Sequence, residues 1–316
     1  MIGFDIGGTK CAVCVGDVRD GSLVIYDKRV IPTRHDLSPY AILDQLCALA
    51  GEMTHDFSRI GISCGGPLDD RRGVILSPPN LPGWDNVRIT DMLSDRFGIP
   101  AYLCNDANAC ALAEWKFGAG RGSRNMIFLT FGTGLGAGLI LDGRLYSGTS
   151  GMAGEVGHVR LDDDGPVGFG KRGSFEGFCS GGGIARLARR RALERYDEGD
   201  PIPWADNKDK ILNLNTKTLA ELASAGDADA LEIFDTSAEM LGRGLAILID
   251  ILNPERIVIG SVFARAEGLF RDRMQEVLKR EALSVSLADC EILPAALGEE
   301  IGDYAALTVA IEGGKQ

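Results

Sequence analysis

Gly3-Phe4-Asp5-Ile6-Gly7-Gly8-Thr9-Lys10 gives the clearest indication of the fold of this chain. It is an apolar segment with one acid near its end, broken by two glycines, and it continues into the apolar residues 11–15. The pattern predicts a β-hairpin with a glycine turn. Because glycines reach positive φ and leave N–H groups uncovered, the turn could hold a phosphate, with Thr9 and Lys10 as further donors and Asp5 as a metal ligand. An ordinary hairpin turn explains the pattern equally well, and the spacing of a Walker loop is absent.

The same design recurs at residues 126–141, where an apolar strand leads through the glycine-rich residues 132–138 into a returning apolar strand. Thr130 occupies the place that Asp5 has in the first hairpin. Two hairpins of one design predict two lobes of shared ancestry, and a chain of 316 residues is long enough for both. Elsewhere strand patterns alternate with helical spacing, which predicts an α/β fold.

The charge of the chain excludes several classes of partner. A net charge of −12 and a pI near 4.8 argue against a nucleic-acid surface, which needs a basic patch. The dense basic run at residues 186–191 fits a solvated helix face opposed by acids near Glu194 and Asp197. No apolar run approaches the roughly 20 residues that span a bilayer, and Asp5 interrupts any signal-peptide core. We therefore expect a cytoplasmic protein with no nucleic-acid partner and no membrane contact.

The eight cysteines indicate reduced thiols. Most of them lie inside apolar runs, as small core residues do, at positions 11, 14, 47, 64, 104, 110, 179 and 290. Cys11-x-x-Cys14 has the spacing of a redox or zinc motif, but residues three apart on a strand point to opposite faces of the sheet. We expect core packing for both residues.

Two loops carry candidate polar ligands. Asn80 lies in the segment 77–84, whose three prolines stiffen the backbone, so its side chain could be held against a ligand. An Asn that only closes its own turn is the alternative. Asn105 and Asp106 end a strand and precede a helical pattern at residues 107–117, which places Asp106 at the helix N-cap. A capping role alone would explain that aspartate.

Five motifs follow one another along the chain: Asp5-x-Gly-Gly-Thr-Lys10, Asn80-Leu-Pro-Gly-Trp84, Asn105-Asp106, Gly132-Thr-Gly-Leu-Gly136 and Glu155-x-Gly-His158. As an ordered set covering most of the chain, they resemble the ROK family of sugar kinases, repressors and open reading frames, which includes bacterial glucokinases. The resemblance implies the actin-like ATPase (ribonuclease H-like) α/β fold, with two lobes around a central cleft. The smaller lobe would comprise residues 1–118 and 299–316, and the larger lobe residues 119–298.

The resemblance also implies ATP and Mg²⁺, with transfer of the γ-phosphoryl group to a hexose hydroxyl, commonly the 6-hydroxyl. Asp106 would be the catalytic base, in the ionised form that a helix N-terminus favours. The sugar would be bound by Gly66, Asn80, Asn105, Asp106, Glu155, His158 and Glu176. ATP would be bound by Gly7, Gly8, Thr9, Lys10, Gly132, Thr133 and Gly134, with Gly260 near the adenosine and Asp5 holding Mg²⁺. Gly260-Ser261-Val262 departs from relatives, which often have a longer glycine run there.

The segment after the Glu155-x-Gly-His158 motif departs further. Many family members carry CxCGxxGCxE there, and its three cysteines join the histidine in a structural zinc site. Residues 167–176 lack all three cysteines but keep the glycines and Glu176. Because a structural zinc site needs about four ligands, we expect no zinc. Val167 and Phe169 would supply apolar packing in its place, and His158 would be a neutral ring that binds the sugar or, alternatively, a purely structural histidine.

Three functions compete. A hexose kinase would use all five motifs, with glucose as the family-level expectation and N-acetylmannosamine, N-acetylglucosamine, allose, fructose or a β-glucoside as alternatives. A sugar-sensing repressor would carry a helix-turn-helix before the first motif, which here begins at residue 5. An actin-like structural ATPase has no need of Asn105-Asp106 or Glu155-x-Gly-His158. We therefore expect an ATP-dependent hexose kinase, which by family resemblance would be a homodimer.

Overall fold

A computed structural model describes residues 1–53 and 56–313, which contain fourteen β-strands and twelve α-helices. The strands are β1 (Ile2–Ile6), β2 (Lys10–Arg19), β3 (Ser22–Pro32), β4 (Ile60–Cys64), β5 (Leu68–Asp69), β6 (Val74–Ile75), β7 (Ala101–Asn105), β8 (Met126–Phe131), β9 (Leu135–Leu141), β10 (Arg144–Leu145), β11 (Val167–Gly168), β12 (Lys171–Arg172), β13 (Arg256–Ile259) and β14 (Glu291–Pro294). The helices are α1 (Pro39–Glu52), α2 (Ile89–Phe97), α3 (Asp106–Phe117), α4 (Phe175–Phe178), α5 (Gly181–Asp197), α6 (Lys208–Leu212), α7 (Thr216–Ser224), α8 (Ala228–Leu252), α9 (Ser261–Ala266), α10 (Arg271–Glu281), α11 (Ser284–Ala288) and α12 (Ile301–Glu312).

The chain divides into two compact units. The first comprises Met1–Arg124, Gly138–Ala153 and Ala296–Gln316, and the second comprises Asn125–Ala137 and Gly154–Ala295. Unlike the expected lobes, the first unit includes residues 138–153. The physical reason is close packing on α3, because a Cβ added to Gly138 would lie 2.5 Å from the Cβ of Ala111. The lobe limits at residues 118 and 299 stay a prediction. The last three residues of the predicted smaller lobe lie outside the described part of the chain.

The five-stranded sheet of the first unit has the order β3-β2-β1-β4-β7. β1 pairs with β2 in antiparallel register, with Phe4 opposite Val13, so the predicted opening hairpin is confirmed. On its other side β1 pairs with β4, and β4 with β7, both in parallel. Parallel neighbours are usually covered on both faces and read as continuous apolar runs, and every residue of β4 is buried. The carboxyl ends of β1 and β7, which carry Asp5 and Asn105, therefore lie on the same edge of this sheet.

The second five-stranded sheet has the order β10-β9-β8-β13-β14. β13 pairs in parallel with both β8 and β14. In each sheet a hairpin is followed by two parallel strands, β4 and β7 in one and β13 and β14 in the other. The two sheets therefore share the design that the repeated hairpin sequence predicted.

The last helix packs directly on the first sheet through glycines. A Cβ added to Gly3 would lie 2.9 Å from the Cβ of Ala306, and one added to Gly61 would lie 2.5 Å from the nitrogen of Ala310 and overlap the oxygen of Ala306. The absence of side chains at these two strand positions lets the helix backbone approach the sheet closely. Tertiary packing thus fixes α12 above the start of the chain.

Several sequence expectations about individual side chains are confirmed. All eight cysteines are free, and Cys11 and Cys14 belong to different core clusters, as expected for opposite faces of β2. Within the basic run, Arg190 pairs with Glu194 and Arg191 with Glu232. In residues 1–53 and 56–313 no helix combines the length and the apolar character needed to cross a bilayer.

The glycine contact beneath α12 gives a stability prediction. Gly61→Ala should lower the free energy of unfolding by about 3 kcal/mol or more, because the added methyl group has no space and the helix must move away. Chemical denaturation followed by circular dichroism measures the change. Gly51→Ala is the matched control, since Gly51 lies in α1 with open space around it. The control should gain roughly 0.5–1 kcal/mol, and equal stability of Gly61→Ala and the wild type would contradict the packing argument.

Candidate functional site

Asn105 and Asp106 lie at the junction of β7 and α3. Asn105 is the N-cap, because its backbone is extended with ψ 143° and its Oδ1 accepts from the N–H groups of Ala107 at 3.0 Å and Asn108 at 3.4 Å. The expectation that Asp106 is the N-cap is therefore wrong by one residue. Asp106 is the first residue of the helix, and the amide nitrogen of Asn105 faces Gly66, 3.3 Å from where a Cβ would stand.

The carboxyl group of Asp106 lies in a recess that is open to solvent. Its Oδ1 accepts from the N–H of Ala107 at 2.8 Å, and its Oδ2 lies 3.7 Å from where a Cβ of Gly65 would stand. The side chain is exposed to solvent on its open side, yet the protein around it desolvates the carboxylate and so raises the pKa of Asp106. The hydrogen bond from Ala107 offsets only part of that rise. Burial thus outweighs the helix terminus, contrary to our expectation for the ionised form.

Asp5, at the end of β1, faces two other carboxylates. Burial, with the charges of Asp303 and Asp106, raises the pKa of Asp5 to about 6. Asp303 is buried and accepts from the ammonium group of Lys28 at 2.5 Å. A carboxylate whose ionisation is opposed by neighbouring acids is stabilised by a cation, and oxygen ligands suit Mg²⁺. A cation such as Mg²⁺ would therefore favour the ionised form of Asp5.

The turn at residues 7–10 packs against the loop that carries Asn80. A Cβ on Gly8 would lie 2.5 Å from the carbonyl oxygen of Asn80. Thr33 secures the other side, since its hydroxyl donates to the carbonyl of Gly7 at 2.6 Å and its N–H to the carbonyl of Thr9 at 2.9 Å. Neither Gly7 nor Gly8 has a positive φ. These glycines are needed for close approach, which corrects our conformational argument for them.

In the second unit the turn at residues 132–134 is joined to the start of α5. The N–H of Gly181 donates to the carbonyl of Gly132 at 2.7 Å, and a Cβ on Gly182 would lie 3.2 Å from the carbonyl of Thr133. Gly260 donates its N–H to the carbonyl of Leu129 at 2.9 Å. The residue after it, Ser261, has a φ of 52° and starts α9. The glycine turn, the start of α5 and the start of α9 therefore lie together.

Glu176 joins the candidate sugar residues of this unit to the same turn. Its Oε2 accepts from the N–H of Leu135 at 3.2 Å and lies 2.8 Å from where a Cβ of Gly134 would stand. The Cβ of Glu176 lies 3.2 Å from where a Cβ of Gly157 would stand, and Gly157 also packs on the carbonyl of Leu135. Glu155 and His158 flank that glycine and are exposed. The structure thus brings residues 155–158, Glu176 and the glycine turn into one group.

The segment in place of the zinc motif forms the small hairpin β11–β12. Val167 is 43% exposed and Phe169 is 70% exposed, so the expectation that both residues supply apolar packing is wrong for Val167. Phe169 does contact His158, with ring centroids 5.5 Å apart and planes at 88°. Phe169 has a φ of 43°, and the left-handed region costs an L-residue of its kind roughly 1–2 kcal/mol. In the described part of the chain no group of three or more His, Cys, Asp or Glu residues is arranged to hold a metal.

Sequence reasoning missed several residues of these two groups. Gly302 adjoins Asp5, since a Cβ there would lie 2.5 Å from its Oδ2. Beside it, the buried Asp303 pairs with the partly exposed Lys28. In the second unit, burial lowers the pKa of Arg186, whose guanidinium lies 3.1 Å from where a Cβ of Gly182 would stand. The glycine run at residues 181–183, which forms the first turn of α5, was the available signal for that helix start, whereas nothing in the sequence relates Asp303 to Asp5.

A cavity of about 290 Å³ lies elsewhere in the second unit, beside α5 and α8. Its charged lining residues pair with one another, Asp164 with Arg190 and Arg191 with Glu232. None of the residues that the sequence predicted for a site lines it. The cavity is therefore separate from the candidate site.

Residues 1–312 match the sequence model of the ROK family. The chain belongs to the ROK family. A glucokinase of Thermotoga maritima is 32% identical over 99% of this chain and 97% of its own length. An N-acetylmannosamine kinase of Citrobacter koseri is 32% identical over 84% of each chain.

Solved structures agree with this membership. The ROK family glucokinase from Streptomyces griseus, determined in complex with glucose and AMPPNP, matches with a TM-score of 0.80 and 32% identity, covering 99% of both chains. The match confirms the α/β, actin-like ATPase fold that the motifs implied. Within this ROK fold the first unit carries Asp5, residues 7–10, Gly66, Asn80, Asn105 and Asp106. The second unit carries residues 132–134, Glu155, His158, Glu176 and Gly260.

The environment of Asp5 in this ROK protein gives a pH-dependent prediction. Because its pKa is raised to about 6, the folded protein holds a proton between about pH 4 and pH 6 that the unfolded chain releases. The stability of the folded state therefore falls as the pH rises through 6. Asp5→Asn is neutral at every pH and should be more stable than the wild type at pH 7.5, by up to about 3 kcal/mol.

Thermal unfolding midpoints of Asp5→Asn and the wild type, measured in EDTA from pH 4.5 to pH 7.5, would check this. The difference between the two midpoints should shrink as the pH falls. Asp44→Asn, at an exposed position of α1, is the control and should follow the wild type throughout. A difference between Asp5→Asn and the wild type that does not vary with pH would show that the Asp5 carboxyl is not destabilised by its neighbours.

Proposed function

We propose that this protein is an ATP-dependent sugar kinase, which transfers the γ-phosphoryl group of ATP to a hexose hydroxyl, and first of all to the 6-hydroxyl of glucose. The observation that carries the proposal is Asp106, a carboxyl group in an open recess with a raised pKa, near the half-buried Asp5, whose pKa is also raised. The similarity to glucokinases over nearly the whole chain supports it.

In this proposal Asp106 is the general base. Its Oδ1 is held by the N–H of Ala107, which leaves Oδ2, on the side of Gly65, to accept the proton of the attacking hydroxyl. A raised pKa increases the proton affinity of the carboxylate, as a base requires. A positioned base of this kind contributes about 10²–10⁴-fold to the rate.

Phosphate binding is assigned to the two glycine turns. Phosphoryl transfer has a loose transition state, so positioning and charge neutralisation do most of the work. The N–H groups of residues 7–10, with the Lys10 ammonium, would bind phosphate oxygens, and Gly132, Thr133 and Gly134 would do the same from the second unit. Asp5 would hold Mg²⁺, which when bound offsets the negative charge of the phosphates. Gly260 is assigned to the adenosine, next to the start of α9.

Sugar recognition is assigned to Gly66, Asn80, Asn105, Glu155, His158 and Glu176. The Oδ1 of Asn105 caps helix α3. The amide nitrogen of Asn105, which lies on the side of Gly66, is then left to donate to a sugar hydroxyl. Glu176 is held by Leu135 and can accept from a hydroxyl through its other oxygen. Sites that hydrogen-bond a hydroxyl reject sugars that lack it. The similarity to an N-acetylmannosamine kinase makes that sugar the second candidate substrate.

The test is ADP release measured over a panel of glucose, N-acetylmannosamine, N-acetylglucosamine, allose, fructose and a β-glucoside. Glucose should support turnover, and Asp106→Asn should lower kcat by about 10²–10⁴-fold with little change in the KM for ATP, because the base alone is lost. The matched control is Asp91→Asn, which removes an acid from the first turn of α2 and should keep full activity.

Absence of sugar-dependent turnover in the wild type would reject the kinase. Turnover with another sugar of the panel, and none with glucose, would correct the substrate and keep the reaction. Undiminished turnover of Asp106→Asn would remove the base assignment.

We also propose that the protein binds no zinc, since His158 has no thiolate partners in residues 167–176. Elemental analysis of protein purified without chelators should find far less than one zinc per chain, because a closed zinc site takes about four ligands. Protein incubated with zinc and then desalted is the control and should give the same result. One retained zinc per chain would contradict the proposal. The homodimer and the cytoplasmic location stay predictions.

A further inference from the structure

The turn of the β11–β12 hairpin has a residue that its backbone disfavours. Gly168 pairs with Lys171, so Phe169 and Gly170 form a two-residue loop, and their φ angles are 43° and 75°. Positive φ at both positions is the mark of a type I′ turn, in which Asn-Gly, Asp-Gly and Gly-Gly are preferred. Gly170 fits this turn, whereas Phe169 occupies a position where Asn would be more stable.

Burial does not offset this cost, because the Phe169 side chain is 70% exposed. What the ring does contact is the imidazole of His158, edge to face, with centroids 5.5 Å apart. Two residues further on, the ammonium group of Lys171 donates to the main-chain carbonyl of His158 at 2.7 Å. The two sides of one strained turn therefore hold the ring and the backbone of the same histidine.

His158 needs such support because it is exposed and ends a single turn of 3-10 helix, Val156–His158. An exposed imidazole can rotate about both of its side-chain bonds, and a ring against one face restricts it to fewer orientations. The 3-10 turn that carries His158 packs against Glu176, since Gly157 contacts the Cβ of that residue. The hairpin thus restricts the imidazole from one side, on a turn that packs against Glu176.

We infer that Phe169 and Lys171 are positioning residues for the sugar site: they hold His158 ready for a hexose hydroxyl, without a metal ion. The inference rests on the proposed function, which assigns His158 and Glu176 to the sugar. It explains why a residue unfavourable for the turn occupies position 169. A ring at this place lowers the entropy that His158 loses when the sugar binds, because part of the ordering is already present in the free protein.

The test separates this role from a structural one. Phe169→Asn suits the type I′ turn and removes the ring, so it should raise the unfolding temperature and yet raise the KM for the hexose. The expected rise is about 3- to 10-fold, the effect of ordering one further side chain on binding. The KM for ATP and kcat should stay within about twofold of the wild type. Phe169→Tyr retains the ring and should retain the hexose KM, which makes it the matched control.

Lys171→Met should also raise the hexose KM, and Lys171→Arg should restore it, because the hydrogen bond to the His158 carbonyl is lost in one and kept in the other. A readout independent of activity is the proton NMR shift of the His158 ring, assigned with His158→Gln. That shift should change in Phe169→Asn and stay close to the wild-type value in Phe169→Tyr, because only the former loses the ring current.

The outcomes are distinguishable. If the wild type turns over no hexose of the panel, the proposed function fails and the positioning role fails with it. If the wild type is active but Phe169→Asn has an unchanged hexose KM, only the present inference is overturned. A variant that loses stability and keeps its KM would show a structural role for Phe169, which also overturns the inference.

Discussion

The contact on which the first unit depends is that of α12 with the glycines of β1 and β4. Without side chains at Gly3 and Gly61, the helix backbone reaches the sheet, and the first turn of the helix then lies over the end of β1. Gly302 adjoins the Asp5 carboxyl there, and Asp303 is buried beside Lys28. The raised pKa of Asp5 follows from this packing. The electrostatics of the candidate site is thus a consequence of how closely the last helix approaches the first strand.

Glycine has the same use in the second unit, where it allows close approach without positive φ. Gly157 packs on Glu176 and on the carbonyl of Leu135, and Gly134 faces the Glu176 carboxylate. A Cβ at Gly134 would displace the Glu176 carboxylate, and a Cβ at Gly157 would displace strand β9, whose Leu135 N–H donates to that carboxylate. Neither residue has a positive φ. Gly134 and Gly157 therefore serve close packing, whereas Gly83 of the second motif has a φ of 84° and open space around it, so it serves the backbone conformation.

The hairpins and the strand ends were predictable because each is specified locally, by an apolar run and by the residues that interrupt it. Asn105 and Asp106 illustrate the limit of local reasoning. Both are good capping residues, and the backbone at Asn105, which stays extended, decides which of them caps. The neighbours of Asp5 could not be predicted from the sequence, because Asp303 and Lys28 come close to it only through tertiary packing. The exposure of Val167 was missed for the same reason, because an apolar residue in a short hairpin is buried only if another element covers it.

The acidic charge of the chain is compatible with ATP under the proposed function, although it opposes nucleic acid. At physiological ionic strength charges are screened over about 8 Å, so the net charge of −12 acts weakly on a ligand already in its site. Under that proposal, binding would depend on the short-range groups assigned to the phosphates, such as Lys10, and on a cation held by Asp5. A nucleic acid presents charge over a length far greater than the screening distance and needs a basic surface to match it. The ion pairs of Arg190 and Arg191 with acids leave the densest basic segment of this chain unsuited to that task.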